Sequence, residues 1–203
     1  MSEVRKYHLP PARLIPNSPF PLLHYPGHLS ERISRNDTAV QICDLFASKG
    51  WTTQWIFRYG PTQEAHYHSQ THECMVVLHG KATIRFGAAD GDDEACGIEL
   101  PAEAGDVFII PAGVAHKTHD TTRGEFALLT PGDGHSVTRE DLQGIDGSVL
   151  TGFVMMGAYP VGGQWDFATG GENSGRYEDV WNVAKPKQDP VLGTASNGIC
   201  ELW

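Results

Sequence analysis

The amino-acid sequence predicts an all-β fold, a barrel or sandwich of many short strands with a few short helices. Its 23 glycines and 13 prolines punctuate short β-rich runs, which is typical of barrels and sandwiches with many turns. Residues 51–59 and 81–86 alternate with a period of two, as strands with one buried face do. Hydrophobic residues make up 40% of the 203 residues, enough to fill the core of one domain.

The first predicted elements are an arm and a helix. Residues 1–36 are proline-rich, and proline cannot donate a hydrogen bond to a strand ladder. We therefore expect an N-terminal arm packed across the barrel, with one edge strand at Leu22–Tyr25. A helix is predicted between Asp37, which can cap it, and Gly50, which ends it.

The barrel core is predicted over residues 52–156 of a single domain spanning 1–203. Its further strands are predicted at Ala65–His68, Glu73–Leu78, Lys81–Phe86, Ile98–Leu100, Asp106–Ile110, Phe126–Thr130 and Val149–Met156. Because residues 131–147 are rich in Gly, Asp and Ser, they are predicted to form an inserted loop. Residues 157–203 form a predicted C-terminal extension with a short helix near Tyr177–Val183.

Charge and composition exclude several kinds of partner. The net charge of -10 argues against nucleic acid, since phosphate binding needs clustered Lys and Arg, and against anionic membrane surfaces. No apolar run approaches the roughly 20 residues that span a bilayer, and the N-terminus lacks the apolar core of a signal peptide. We therefore expect a cytoplasmic protein. The four cysteines are scattered without a CxxC pair, which predicts free thiols and no thiolate metal site.

Three histidines and one glutamate have the spacing of a metal site. His66 and His68 are two residues apart, so on a strand their side chains share a face. Residues 69–72 are polar and of hairpin length, which would place Glu73 directly opposite His68. His116 follows a Pro-x-Gly turn at the start of a later strand. The sequence therefore predicts one divalent metal ion held by His66, His68, Glu73 and His116.

These ligands belong to two longer patterns of glycine, proline and ligand residues. The patterns read Gly60-x5-His66-x-His68-x4-Glu73-x6-Gly80 and Gly105-x5-Pro111-x-Gly113-x2-His116. A lone His-x-His is common, and a single histidine is usually a surface or core residue. Nine specified positions in register do not arise by accident, because Gly and Pro make up only about 7% and 5% of average sequence.

In both patterns the sequence resembles the cupin superfamily, which implies a double-stranded β-helix, an RmlC-like jelly roll. Asp120 stands where the cupin pattern often has Asn, and either residue can serve the turn. A closer resemblance, to YjlB-type single-domain cupins, covers nearly the whole chain. It is carried by Ile15-Pro16-Asn17, His66-Tyr67-His68-Ser69, Gly157-Ala158-Tyr159-Pro160, Gln164-Trp165-Asp166, Asp189-Pro190-Val191-Leu192-Gly193 and Leu202-Trp203. The resemblance implies a homodimer, because cupins commonly share strands between subunits, but it implies no particular reaction.

Three imidazoles and a carboxylate leave one or two open positions on an octahedral ion. This ligand set suits Fe, Mn, Ni, Co or Zn, and the spacing does not choose among them. Weaker candidates for acid or base roles are His72, which neighbours Glu73, and His119 and His135, in or beside the long loop. An outward or solvated position is the simpler interpretation of all three.

Three functional hypotheses follow. The first is a metal-dependent oxygenase or oxidoreductase acting on a small organic molecule, in which the metal binds both O2 and an oxygen of the substrate. The alternative is a non-redox isomerase, dehydratase or decarboxylase, in which the metal acts as a Lewis acid. The third is a small-molecule-binding module without catalysis.

Overall fold

The structure, a computed structural model, describes residues 3–33, 37–92, 96–121 and 124–203. The elements are β1 Arg5–Tyr7, β2 Leu22–Tyr25, α1 Ser30–Ile33, α2 Thr38–Ala47, β3 Trp51–Tyr59, β4 Glu73–His79, β5 Lys81–Phe86, β6 Ile98–Glu103, β7 Val107–Ile110, β8 His116–His119, β9 Ala127–Leu128, β10 Phe153–Pro160, α3 Tyr177–Trp181 and α4 Ile199–Leu202. The predicted all-β class is confirmed, and α2 confirms the predicted helix. Within the described ranges no helix has the length and apolar character to cross a membrane.

The strands form two antiparallel sheets that face each other. The larger sheet has the order β1-β2-β7-β4-β10-β3-β9, and the smaller has the order β6-β5-β8. One apolar cluster, here called the inner core, contains residues of both sheets and fills the space between them. A second cluster, the outer core, packs the other face of the larger sheet against α2. The larger sheet is therefore buried on both faces along its central strands.

Strand β4 contributes side chains to both cores. Met75 and Val77 lie in the inner core, whereas the residues that alternate with them lie in the outer core. Every residue of β4 except the terminal His79 is buried. Because alternate residues of a strand share a face, Glu73 points inward with Met75 and Val77. The sequence of β4 thus places a carboxylate in the interior between the sheets.

A bulge in β3 redirects its aromatic residues. In the pairing of β3 with β10, Gln54 has no partner, so it is an extra residue that reverses the alternation. Trp51 therefore packs into the outer core, whereas Trp55 and the aromatic residues after it face the inner core. The period-two pattern over residues 51–59 predicted a single aromatic face, and the bulge divides that face between two cores.

The N-terminal arm is part of the larger sheet. The predicted edge strand is present as β2, but it lies between β1 and β7 with all four residues buried. Pro21 and Pro26 stand immediately outside β2, so the strand itself loses no ladder donor. The edge position belongs to β1. At the other end of the barrel, β10 continues to Pro160 and so crosses the predicted boundary at residue 156.

Two turn residues of the sequence patterns are required by the backbone. Gly80 joins β4 of the larger sheet to β5 of the smaller with a φ of +78°. A Cβ atom at this position would collide with the backbone carbonyl oxygen of Gly152. Asp120 also has a positive φ, 58°, a conformation that Asp and Asn tolerate better than other side chains. Asp120 therefore serves the turn as Asn would.

We expect Gly80→Ala to lower the free energy of unfolding by about 2–5 kcal/mol, because alanine would have to adopt a left-handed φ and its Cβ atom would collide with the backbone. Gly50 is a matched control, because it has the same φ of +78° but open space where a Cβ atom would lie. Gly50→Ala should cost only about 1–2 kcal/mol. Urea unfolding followed by tryptophan fluorescence measures both values, and equal losses in the two variants would contradict the role of the collision.

Candidate metal centre

His66 and His68 lie on a short extended segment that pairs with the strand carrying the third histidine. His66 pairs directly with His116 at the start of β8, and their backbone N–H groups donate to each other's carbonyl oxygens at 3.1 and 2.8 Å. Tyr67 pairs with Ala168 on the other side of the segment. Since alternate residues share a face, His66 and His68 point to the same side, next to His116.

Glu73 reaches the site by a different route from the predicted hairpin. In the structure Glu73 pairs with Ile110 of β7 and not with His68. Residues 65–68, predicted as a strand, form only isolated bridges within the described part of the chain. Residues 69–72 instead carry the chain from one layer of the sandwich to the other. The hairpin prediction was wrong because β4 finds its partners, β7 and β10, far along the sequence.

Three of the four predicted ligands, His66, His68 and His116, cluster in a buried space, and the fourth, Glu73, contacts two of them. One ring nitrogen from each of His66, His68 and His116 lies within 4.8 Å of the other two, so the three rings could hold a metal ion. The Oε2 atom of Glu73 lies 3.3 Å from Nε2 of His68 and 3.2 Å from Nε2 of His116. All four residues are at most 5% exposed.

Backbone carbonyl groups fix the tautomer of each imidazole ring. The Nδ1 atoms of His66, His68 and His116 lie 3.1, 2.5 and 3.3 Å from the carbonyl oxygens of Glu64, Asp166 and Val114, respectively. A carbonyl oxygen can only accept a hydrogen bond, so each Nδ1 carries the hydrogen and donates it. Each Nε2 then keeps a lone pair for another partner, as a metal-binding imidazole requires.

Electrostatics within the site favour an ionised carboxylate and attract a cation. Burial alone would raise the pKa of Glu73, but His68 and His116 outweigh burial and hold it well below its usual range. Burial lowers the pKa of His66, and the two neighbouring histidines lower it further. For His68, burial also lowers the pKa, but Glu73 outweighs it and raises the pKa. A metal ion at this site would therefore compete with a proton for the same position beside Glu73.

A tyrosine and a tryptophan that the sequence did not reveal support Glu73 from the other side. The Tyr159 hydroxyl donates to Oε1 of Glu73, and it accepts the indole N–H of Trp55 at 2.9 Å. Burial and the nearby carboxylate raise the pKa of Tyr159, which keeps its hydroxyl protonated as a donor. Gly157 makes room for Trp55, because a Cβ atom at Gly157 would overlap the indole ring. The Tyr159 bond occupies Oε1 and leaves Oε2 facing the histidines.

The side chains present fit a divalent metal ion. Nε2 of His68 and Oε2 of Glu73 are buried and have no hydrogen-bond partner among the described residues. With hydrogen on Nδ1 of His68, both of these atoms present lone pairs to each other, and a cation between them removes the repulsion. Neighbouring ligands of an ion with bonds of about 2.1 Å lie about 3 Å apart when the bonds meet at right angles, close to the distances of 3.3 and 3.2 Å from Oε2 of Glu73 to His68 and His116.

A cavity of about 210 Å³ opens beside these four residues. Its described lining also contains Tyr159 and Gln63. The remaining lining residues are all aromatic: Trp55, Phe57, Tyr59, Phe126, Trp165 and Phe167. Ligand cavities are typically apolar with a few convergent polar groups, and this cavity follows that rule.

Two of the weaker acid–base candidates lie outside this lining. His72, predicted to face outward, is buried, and its Nδ1 accepts the backbone N–H of Ala112 at 3.0 Å. His119 lies at the end of β8, with its Nε2 3.3 Å from the carboxylate of Glu99. Both rings are therefore engaged by neighbours that do not line the cavity.

The third weaker candidate contacts the lining indirectly. The ring of His135 stacks on Trp165 with ring centres 4.2 Å apart, and its Nδ1 lies 3.2 Å from the Gln164 amide oxygen. Trp165 is a lining residue, whereas His135 is not. His135 therefore packs behind Trp165 and does not contact the cavity itself.

Comparisons with known proteins agree with this architecture. A family profile described as "Cupin domain" matches residues 54–132. The uncharacterized protein YjlB of Bacillus subtilis (strain 168) is 30% identical over 204 residues, which cover 99% of this chain and 97% of that protein. Together with the two antiparallel sheets, these matches confirm the fold class expected from the resemblance.

Among solved structures, the similarity is weaker. A point mutant of the oxalate decarboxylase OxdC of Bacillus subtilis is 18% identical, with a TM-score of 0.33. That match covers 70% of this chain and 26% of the decarboxylase, so the chain spans about a quarter of its length. A point mutant of the 3,4-ketoisomerase QdtA of Thermoanaerobacterium thermosaccharolyticum is 11% identical, with a TM-score of 0.35, covering 64% of this chain and 69% of that one.

We expect His116→Ala to abolish stable metal binding, because it removes one of three converging imidazoles. His119→Ala is the matched control, since His119 lies on the same strand but outside the cavity lining. Protein purified without a histidine tag is analysed for metals by plasma mass spectrometry. Wild type and His119→Ala should each contain about one ion per chain, and His116→Ala should contain almost none. Equal metal content in all three proteins would contradict the role of His116 as a metal ligand.

We expect Tyr159→Phe to weaken metal binding by roughly 10–100-fold, the usual effect of removing a hydrogen bond that orients a ligand. Tyr25→Phe is the control, because Tyr25 is likewise buried and donates to a carboxylate, that of Asp189 at 2.5 Å. Both variants should lose about 1–3 kcal/mol of stability, but only Tyr159→Phe should lose affinity in a competition with a metal-binding dye. Unchanged affinity in Tyr159→Phe would show that Tyr159 does not orient Glu73.

Proposed function

The chain belongs to the cupin superfamily, as a member of the YjlB type, and from this premise we propose that it is a metal-dependent enzyme. The proposed reaction is the oxidation by O2 of a small organic molecule bound in the adjoining cavity. The proposed metal ligands are His66, His68, Glu73 and His116. Their convergence supports the metal, and the chemistry of the cavity lining supports the class of reaction.

The observation that carries the proposal is the kind of side chain that faces the site. Apart from the four proposed ligands, the described lining consists of aromatic rings and the amide of Gln63. Its other titratable groups are the phenols of Tyr59 and Tyr159, and burial raises the pKa of both. An isomerase or dehydratase needs a group that exchanges protons near neutral pH. The lining therefore favours an oxygenase, in which the metal and O2 carry the chemistry.

The protein's own contribution is to hold the ligands and to exclude water. A redox-active divalent ion bound by this N/O ligand set would supply the activation of O2. Tyr159 holds one oxygen of Glu73 in place, and the backbone carbonyl groups fix the orientation of the three imidazoles. The aromatic walls keep water away from a bound molecule, which protects reactive species from side reactions.

We expect O2 uptake that depends on both metal and substrate. Metal-free protein is reloaded with Fe2+, Mn2+ or Zn2+ and mixed with a panel of small organic molecules, with and without rings and charges, while dissolved O2 is followed with an electrode. Uptake should occur with Fe2+ or Mn2+ and not with Zn2+, which has no redox chemistry. His116→Ala should be slower by about a hundredfold or more, whereas His119→Ala should retain the wild-type rate.

The competing functions give different results in the same experiment. Turnover under strict exclusion of O2, or full activity with Zn2+, would replace the oxygenase with a non-redox enzyme that uses the metal as a Lewis acid. Stoichiometric binding without turnover in any metal form would identify a binding module. Either result would overturn the proposed reaction while leaving the metal site in place.

A further inference from the structure

Aromatic rings from three separate parts of the chain surround the cavity beside the metal site. Strand β3 contributes Trp55, Phe57 and Tyr59, the residue before β9 contributes Phe126, and the C-terminal extension contributes Trp165 and Phe167. Phe126 stacks on Phe57 with ring centres 5.0 Å apart, and Phe167 stacks on His66 at 4.1 Å. Flat faces therefore line the space next to the proposed ligands, a surface on which another flat ring packs well.

We propose that this cavity selects an uncharged molecule with a single flat ring and an oxygen substituent that reaches the metal. This inference rests on the proposed function for the metal, but the selection of the ring rests on the walls alone. The charge, the volume and the remaining polar group of the cavity each support one part of it.

The charges around the cavity disfavour ionic substrates of either sign. No lysine or arginine is among the lining residues in the described part of the chain, so an anion would have only the metal as a partner. The faces of aromatic rings carry partial negative charge, which repels an anion further. A cation would be attracted by those faces, but a divalent ion with one carboxylate would keep a net positive charge that opposes it. The same charge would attract an anion, but the anion would give up its water to described walls that contain no lysine or arginine, and this desolvation is costly. An uncharged molecule avoids both costs.

The volume of the cavity sets the size of the molecule. The cavity measures about 210 Å³. An apolar protein cavity of about 150 Å³ is large enough to bind benzene. The space beside the four proposed ligands therefore accommodates one six-membered ring with one or two small substituents.

Gln63 supplies a second polar contact at the cavity wall. Its backbone N–H donates to the carbonyl oxygen of Thr118 at 3.0 Å, and its amide oxygen accepts the Thr118 N–H at 3.4 Å. The first bond holds the backbone of Gln63, the second holds its amide oxygen, and the amide NH2 has no partner among the described residues. Gln63 can therefore donate to a second acceptor on the ring, such as a carbonyl or ether oxygen.

The mouth of the cavity offers positions where the proposal can be tested without disturbing the core. Phe126 and Phe167 are 53% and 47% exposed, although both belong to the lining. Val161 is 70% exposed and lies outside the lining, so it is a control for the removal of an exposed apolar side chain. Gln63 is partly exposed, so a charge introduced there can remain solvated without unfolding the chain.

The test measures binding to the Zn2+-loaded protein, in which no redox turnover occurs. Phenol, benzoate, benzylamine and cyclohexanol are titrated by calorimetry, because they share a similar size but differ in charge and flatness. Phenol should bind more tightly than each of the others by about tenfold or more. Phe126→Ala and Phe167→Ala should each weaken phenol binding by roughly threefold to tenfold, whereas Val161→Ala should not change it. Gln63→Lys should shift the preference from phenol toward benzoate.

Binding of benzoate or benzylamine as tight as that of phenol would overturn the selection against charge, and equal binding of cyclohexanol would overturn the selection for a flat ring. Unchanged phenol binding in both phenylalanine variants would also overturn the proposal. Titration of the metal-free protein with toluene separates this inference from the proposed function. Toluene binding without O2 uptake in any metal form would reject the oxygenase and retain the ring-selective walls. O2 uptake without ring selectivity would reject the ring-selective walls and retain the oxygenase.

Discussion

A carboxylate lies in the apolar interior between the two sheets, and the site is arranged around its charge. Glu73 is 1% exposed, and withdrawing an ionised carboxylate from water costs several kcal/mol in a protein. Such a charge persists only where partners compensate it. His68 and His116 hold the pKa of Glu73 low in spite of its burial, and Tyr159 donates to its second oxygen. A divalent cation would complete this compensation, because it would bind the lone pairs that otherwise oppose one another.

The sandwich makes this compensation possible because its two layers face each other at a suitable distance. Packed sheets lie about 10 Å apart, so a glutamate from one layer and a histidine from the other meet near the middle. Glu73 begins β4 of the larger sheet, and His116 begins β8 of the smaller. Backbone bonds between His66 and His116 then add the remaining histidines on the side of the smaller sheet. The site thus depends on the relative position of two sheets and not on one hairpin.

The difference between local and distant pairing explains what the sequence could predict. The spacing of histidine, glutamate, glycine and proline indicated which four side chains converge, because alternation and turn residues are local properties. It could not indicate that Glu73 faces Ile110 and not His68, since strand partners are chosen by packing across the whole fold. The bulge at Gln54 had no signal of its own, yet it decides that Trp55 faces the cavity and Trp51 does not. Asp120 could be interpreted correctly because Asp and Asn share a tolerance for positive φ.

The C-terminal extension contributes residues to the site. These residues lie beyond the shorter domain that the family profile describes. The profile ends at residue 132, but the Asp166 carbonyl oxygen accepts the Nδ1 hydrogen of His68 and its carboxylate accepts the N–H and hydroxyl of Ser69. Ala168 pairs with Tyr67, between the two histidines. The segment Gln164-Trp165-Asp166 carried part of the resemblance to YjlB-type cupins, although its sequence alone gave no reason for its position. The structure supplies that reason: Asp166 accepts hydrogen bonds from His68 and Ser69, and Trp165 lines the cavity, so the tail both orients a proposed ligand and contributes to the cavity wall.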